Sequence, residues 1–343
     1  MSVKKYFVFE LKKALFAMGS IALIMTAISL TTIITDYYMP GYRIESGVEV
    51  NAIMGGILAA IVPVWMFSYK MKRRSVDLFY SLPLKRVQIL KVKYLLGLVA
   101  LYAPYTTSFV LSVLTALIKY PLYAFSGVYY IPAFFASLPA LYCIYSIASF
   151  VFTRAERTVD GMIFIIFWAL AMLAVMNVVN NFIDDVVSYH YMPTAPLDKV
   201  AVFFAEYIEV LGIRVIEQNY VIANMAVGFS ITGLLAVAST VLLFLTEKKK
   251  KAENIGAVSE SPFGYKVMIP LFTVCIIANL DIFAFYEIVL IVITASAAFM
   301  LSALYKHTFK IGKVQAIILA ASVGTGLILA FIIAFTTVSY VPF

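Results

Sequence analysis

Apolar runs of spanning length alternate with short polar segments along the whole chain. They fall at about 14–35, 51–69, 95–118, 131–153, 160–182, 220–246, 267–285, 287–305 and 314–336. An α-helix needs about 20 apolar residues to cross roughly 30 Å of hydrocarbon, so each run predicts one transmembrane helix. The pair at 267–305 is a special case, since nothing strongly charged divides it. As one helix it would be about 58 Å long, nearly twice the hydrocarbon thickness. A tight hairpin near Asn279, Asp281 and Glu287 is the cheaper solution. The fold class expected is an all-α polytopic membrane protein with nine spans.

Composition agrees with lipid as the main solvent. Of 343 residues, 63% are hydrophobic and 13% charged, against about 25% charged in soluble domains, and the mean hydropathy is +0.97. The net charge of +8 falls in short clusters between the apolar runs. That placement suits orientation in a membrane and attraction to anionic lipids rather than nucleic acid.

With a cytosolic amino terminus, 22 of the 26 Lys and Arg lie on the inner side, leaving Arg43, Lys119, Lys199 and Arg214 outside. The alternation satisfies the positive-inside rule at every second loop and puts the carboxyl terminus outside. The run at 14–35 is too long for a signal-peptide core and ends in Thr35-Asp36 without a small-x-small cleavage pattern, so it is expected to remain as the first span.

Four segments outside the spans carry patterns of their own. Residues 1–13 set Val3, Phe7 and Leu11 opposite Lys4, Lys5 and Lys12, the mark of an interfacial amphipathic helix. Residues 70–94 form a basic cytosolic loop, and 183–219 a large acidic external one. A polar linker at 247–266 divides the chain into six spans (14–250) and a three-span portion (251–343).

Candidate chemistry is sparse. The two histidines, His190 and His307, belong to no His-Glu-x-x-His pair, and no Gly-x-Ser-x-Gly elbow occurs. The phosphate cradle Gly-x4-Gly-Lys-Ser/Thr is missing too; Gly312-Lys313 has His307 at the first glycine position and Val314 after the lysine. The chain is therefore not expected to be an enzyme or to hold a cofactor or metal itself. Cys143 and Cys275 read as small hydrophobes in helix packing, and Asp160 as a helix cap. Asn177, Asn180 and Asn181 form the one conspicuous polar cluster within a span; they serve either as interhelical glue or as a substrate path. Gly56/Ala60, Ala320/Gly324 and Ser322/Gly326 have the spacing of close helix contacts.

The informative segment is the loop between the second and third spans, from Lys72-Arg73-Arg74 through Ser75-Val76-Asp77-Leu78-Phe79-Tyr80-Ser81-Leu82-Pro83 to Tyr94-Leu95-Leu96-Gly97. Leu78, Phe79, Tyr80 and Leu82 are large apolar groups ringed by charge, which marks either a partner surface or a helix dipping its aromatics into lipid. Pro83 breaks the first helix and Val87–Tyr94 restarts a second, so a short helix, a turn and a longer helix are expected.

This loop resembles that of ABC-2-type ABC transporter permeases, in which an Arg-Ser-x-Asp-x-x-Tyr-Ser-Leu-Pro-like run precedes basic residues and a Tyr-Leu-x-Gly span entrance. The resemblance implies that Ser75, Asp77, Leu78, Phe79, Tyr80, Ser81, Leu82 and Pro83 form a coupling helix seated on a cytosolic ABC ATPase, with ATP and Mg bound by that partner. It also implies an elbow helix at 1–13, a six-span core, a second permease as dimer partner, and a bacterial plasma membrane. It covers about residues 1–250; the last three spans are similar to an extension in a bacterial subgroup. The function implied is outward movement of an amphipathic or hydrophobic substrate such as a peptide antibiotic, lipid or envelope component. Two other classes stay open: a non-transporting sensor or scaffold of an envelope-stress complex, and a secondary transporter.

Overall fold

The computed structural model describes residues 2–35, 47–81, 83–120, 127–187, 219–247, 261, 263–280, 285–306 and 312–338. Helices run over α1 (Val3–Thr35), α2 (Val48–Phe67), α3 (Arg73–Tyr80), α4 (Arg86–Lys119), α5 (Gly127–Phe152), α6 (Thr158–Val187), α7 (Asn219–Glu247), α8 (Tyr265–Ala278), α9 (Phe285–Lys306) and α10 (Lys313–Val338), with one 3-10 turn at Ser68–Met71. No strand occurs among the described residues.

Among the described residues, five stretches are long and apolar enough to cross a bilayer: Val3–Thr35, Val50–Met71, Arg86–Lys119, Glu287–Tyr305 and Lys313–Ala334. The other four expected spans coincide with helices whose described apolar parts are shorter, at Ser137–Phe152, Thr158–Ala171, Gly233–Glu247 and Tyr265–Ala278. The two helices expected there are separate and pack on each other. α8 stops at Ala278, where Asn279 Nδ2 donates to Cys275 O at 2.7 Å, and α9 begins at Phe285. With 14 residues, α8 is about 21 Å long and by itself falls short of the hydrocarbon thickness.

The helices pack as two units, the first made of 1–153 with 202–255 and the second of 154–201 with 256–343. This grouping by contacts differs from the order of six spans followed by three along the sequence. α6 groups with α8, α9 and α10, because three aromatic side chains on one face of α6 find partners on and just before α8. Phe164 meets Tyr265 edge-on at 5.2 Å between ring centroids, and Phe167 meets Phe272 at 5.1 Å. The Trp168 indole donates to Phe263 O at 2.9 Å. Asp160, expected as a cap, instead accepts from the Tyr265 hydroxyl at 3.1 Å. Of the small-residue spacings, Gly326 makes a close approach, since a Cβ there would lie 2.9 Å from the Ile277 side chain. Gly56 has only ordinary contact room and Gly324 has nothing within 4 Å.

In the first unit α1 lies along α4, α2 packs on α4 and α5, and α5 packs on α7. Residues 1–13, expected as a separate elbow, contribute to one uninterrupted helix of 33 residues from Val3. The reason is a single buried stripe, Tyr6, Glu10, Ala14, Met18 and Met25, which carries the same face across the expected break. Polar groups tie the other contacts. Asn51 on α2, fully buried, donates to Ser112 Oγ at 2.9 Å and accepts from Ser108 Oγ at 2.6 Å, both on α4.

The entrance Tyr94-Leu95-Leu96-Gly97 gains a physical explanation here. Tyr94 OH lies 2.9 Å from Ser146 Oγ on α5 and 3.0 Å from Thr240 Oγ1 on α7. Tyr145 OH donates to Tyr94 O at 2.9 Å, and the hydroxyl fills the space over Gly97, where a Cβ would overlap it. Glycine at 97 is what lets α4 and α5 approach at this level.

Gly97→Ala should therefore cost about 1–3 kcal/mol through overpacking. Adding Tyr145→Phe, which removes the obstructing oxygen, should recover part of that loss, as thermal unfolding in detergent would register.

Candidate functional site

Strong amphipathy builds α3. The eight residues Arg73-Arg74-Ser75-Val76-Asp77-Leu78-Phe79-Tyr80 put Val76 and Phe79 three positions apart, hence on one face. The backbone N–H groups of Ser75 and Val76 both bond Lys72 O, at 2.9 and 3.0 Å, and close the first turn. Ser81 N–H bonds Asp77 O at 3.1 Å, Pro83 follows, and α4 restarts at Arg86 with Gln88 Oε1 accepting from Lys85 N–H at 3.0 Å. The short helix, turn and longer helix expected from the sequence are all in place.

Of the four apolar groups Leu78, Phe79, Tyr80 and Leu82, only Phe79 has its side chain among the described residues, and it packs inward. Val76 is buried at 2% exposure and Phe79 half-buried. The Phe79 ring packs on Tyr69 of the 3-10 turn, with centroids 4.7 Å apart. The Lys93 ammonium sits 5.2 Å from the Phe79 ring centre and 5.7 Å from that of Tyr69. It bonds Glu10 Oε2 on α1 at 2.8 Å. Four elements, α1, the 3-10 turn, α3 and α4, thus meet around one cation. The face left to solvent carries Asp77, Ser81 and Pro83, with Ser75 intermediate. The side chains of Leu78 and Tyr80, and all of Leu82, lie outside the described residues.

A second ion pair lies in the same unit. Lys70, at the end of the 3-10 turn, bonds Glu247, the last residue of α7, and the two side chains are 2% and 3% exposed. Charges this deeply buried cost several kcal/mol each unless paired. The pairs therefore fix the ends of α2 and α7, and of α1 and α4, against one another. The rings around Lys93 add about 0.5–2 kcal/mol of cation–π attraction.

None of Glu10, Tyr69, Lys70, Lys93 and Glu247 stands out as a site residue in the sequence. Both lysines merge with the loop charges that set orientation, and a usable signal exists only for the acids. Glu10 is the lone carboxylate among Lys4, Lys5, Lys12 and Lys13, and Glu247 directly precedes Lys248 to Lys251.

The backbone of α6 carries Asn177, Asn180 and Asn181, whose side chains lie outside the described residues, as do His190 and His307. The helix bearing this candidate substrate path belongs to the second unit rather than to the unit of α3. Cys143 and Cys275 are buried free thiols. No protein-family model, no curated protein and no solved structure matches the chain.

Removing one partner of the Lys93–Glu10 pair strands a buried charge, so Lys93→Met or Glu10→Leu alone should destabilise the protein by about 3–5 kcal/mol. The combination Lys93→Met with Glu10→Leu should restore most of that stability. A double-mutant cycle of unfolding in detergent measures both.

Proposed function

We propose that the chain is the membrane-spanning permease subunit of an ABC exporter of the ABC-2 type. On this reading nine helices span a bacterial plasma membrane, with the amino terminus in the cytosol and the carboxyl terminus outside. ATP and Mg are bound by separate cytosolic ABC ATPase subunits, and a second permease, identical or related, completes the pathway. The substrate class is amphipathic or hydrophobic: a peptide antibiotic, a lipid or an envelope component.

The observation that supports the reading is how α3 is mounted. Its inward face is held by the Tyr69–Phe79–Lys93–Glu10 cluster, while Asp77, Ser81 and Pro83 face outward. A push on that outward face would not be absorbed by the loop. It would pass through the buried cation into α1 and α4, which is the mechanical requirement for coupling nucleotide closure to helix movement. The division of labour on α3 refines the role of Phe79: it anchors the helix, and the partner reads the polar face beside it.

Tagged full-length protein purified from its own cells in mild detergent should bring along a Walker-type ATPase and show ATP hydrolysis in the complex. Asp77→Lys, on the exposed face, should weaken that association tenfold or more while leaving thermal unfolding unchanged. An intact protein that brings no such ATPase, or an Asp77→Lys variant that binds it as wild type does, overturns the proposal.

A further inference from the structure

The second unit brings the start of α6, the start of α8, the end of α9 and the start of α10 together around two cavities. The larger, about 370 Å³, opens between α8, α9 and α10, and the smaller, about 290 Å³, between α6, α8 and α9. The larger falls at the small end of the range of ligand pockets, about 300–1,000 Å³, and the smaller just below it. Tyr265 and Tyr305 line both, and their rings lie 5.0 Å apart as a shared partition.

The lining combines basic side chains with a larger apolar set. Lys266 and Lys313 line the larger cavity, while the smaller holds Arg157 together with a carboxylate, Asp160, which accepts from the Tyr265 hydroxyl. The apolar set includes Pro270, Ile318 and Leu319 in the larger cavity and Ile163, Leu301 and Leu304 in the smaller. Gln315 adds an amide whose oxygen is buried and has no hydrogen-bond partner. The charged residues all belong to helix ends that the distribution of Lys and Arg puts at the inner membrane surface.

We infer that the paired cavities bind an anionic phospholipid of the inner leaflet. Its phosphate sits against Lys266 and Lys313, its acyl chains lie on the apolar walls, and a headgroup hydroxyl satisfies Gln315. A zwitterionic lipid brings its own cation to the same place and loses the electrostatic gain, about 1 kcal/mol for each basic residue near the surface. A soluble phosphate ester keeps the charge but leaves the apolar walls uncovered. The inference rests on the membrane reading and its orientation, and does not depend on coupling to an ATPase.

Native mass spectrometry of the full-length protein in a neutral detergent, titrated in parallel with dioleoyl phosphatidylglycerol, dioleoyl phosphatidylcholine and glycerol 3-phosphate, tests it. Phosphatidylglycerol should bind at least tenfold more tightly than phosphatidylcholine, and glycerol 3-phosphate should show no binding in that range. Lys266→Gln with Lys313→Gln, both exposed positions, should reduce the preference by on the order of tenfold. Ile318→Trp, which fills the larger cavity from an exposed position, should weaken phosphatidylglycerol binding with the charges intact. Equal binding of the two lipids, glycerol 3-phosphate binding as well as phosphatidylglycerol, or a preference unchanged in both variants overturns the inference.

Discussion

A charge taken out of water must meet its counter-charge, and the first unit is organised around two such meetings. Lys93 reaches Glu10 and Lys70 reaches Glu247, joining helices 83 and 177 residues apart in sequence. Neither pair is a strong source of net stability, because desolvation consumes most of the attraction. What they impose is specificity: any register that separates the partners leaves a bare charge in an apolar setting. The position of α3 follows from this, since Phe79 and Tyr69 complete the surroundings of the Lys93 ammonium.

Away from those pairs the same requirement is met with neutral groups. Asn51 with Ser108 and Ser112, and Tyr94 with Ser146 and Thr240, satisfy one another across helix contacts where water is excluded. Gly97 makes room for the Tyr145 hydroxyl and Gly326 for Ile277. In the second unit Phe164, Phe167 and Trp168 of α6 are set against Tyr265, Phe272 and Phe263. Its α9 and α10 bury only 17% of their most apolar windows, against 50% for the second and third spanning stretches. Surface of that kind calls for lipid or another apolar partner.

On the proposed reading the two units offer different surfaces to different partners. The polar face of α3 suits a protein that pushes, and its backing by a buried cation suits force transmission. The cavities under Arg157, Lys266 and Lys313 suit an anionic amphiphile. Residues 188–218, the greater part of the acidic segment at 183–219, lie outside the described residues.

Hydrophobic periodicity determined much by itself. The all-helical class, the positions of the helices, the turn at Asn279 and the helix–turn–helix at 73–94 were legible because each depends on local composition and on run length against a fixed bilayer thickness. Partner choice was not. Nothing in the run of Glu10 or Lys93 says which distant charge each will meet, and a basic residue at a span end reads the same whether it is solvated or caged. Nor could the sequence assign α6 to the last three helices, since the aromatic face that decides it looks like any other apolar stripe until its partners are in place. The unbroken α1 has the same origin: local amphipathy asked for a boundary at residue 13, and a continuous packing stripe on α4 overrode it. Tertiary structure decided these matters because they turn on side chains far apart in the chain, where burial sets a cost that no local pattern records.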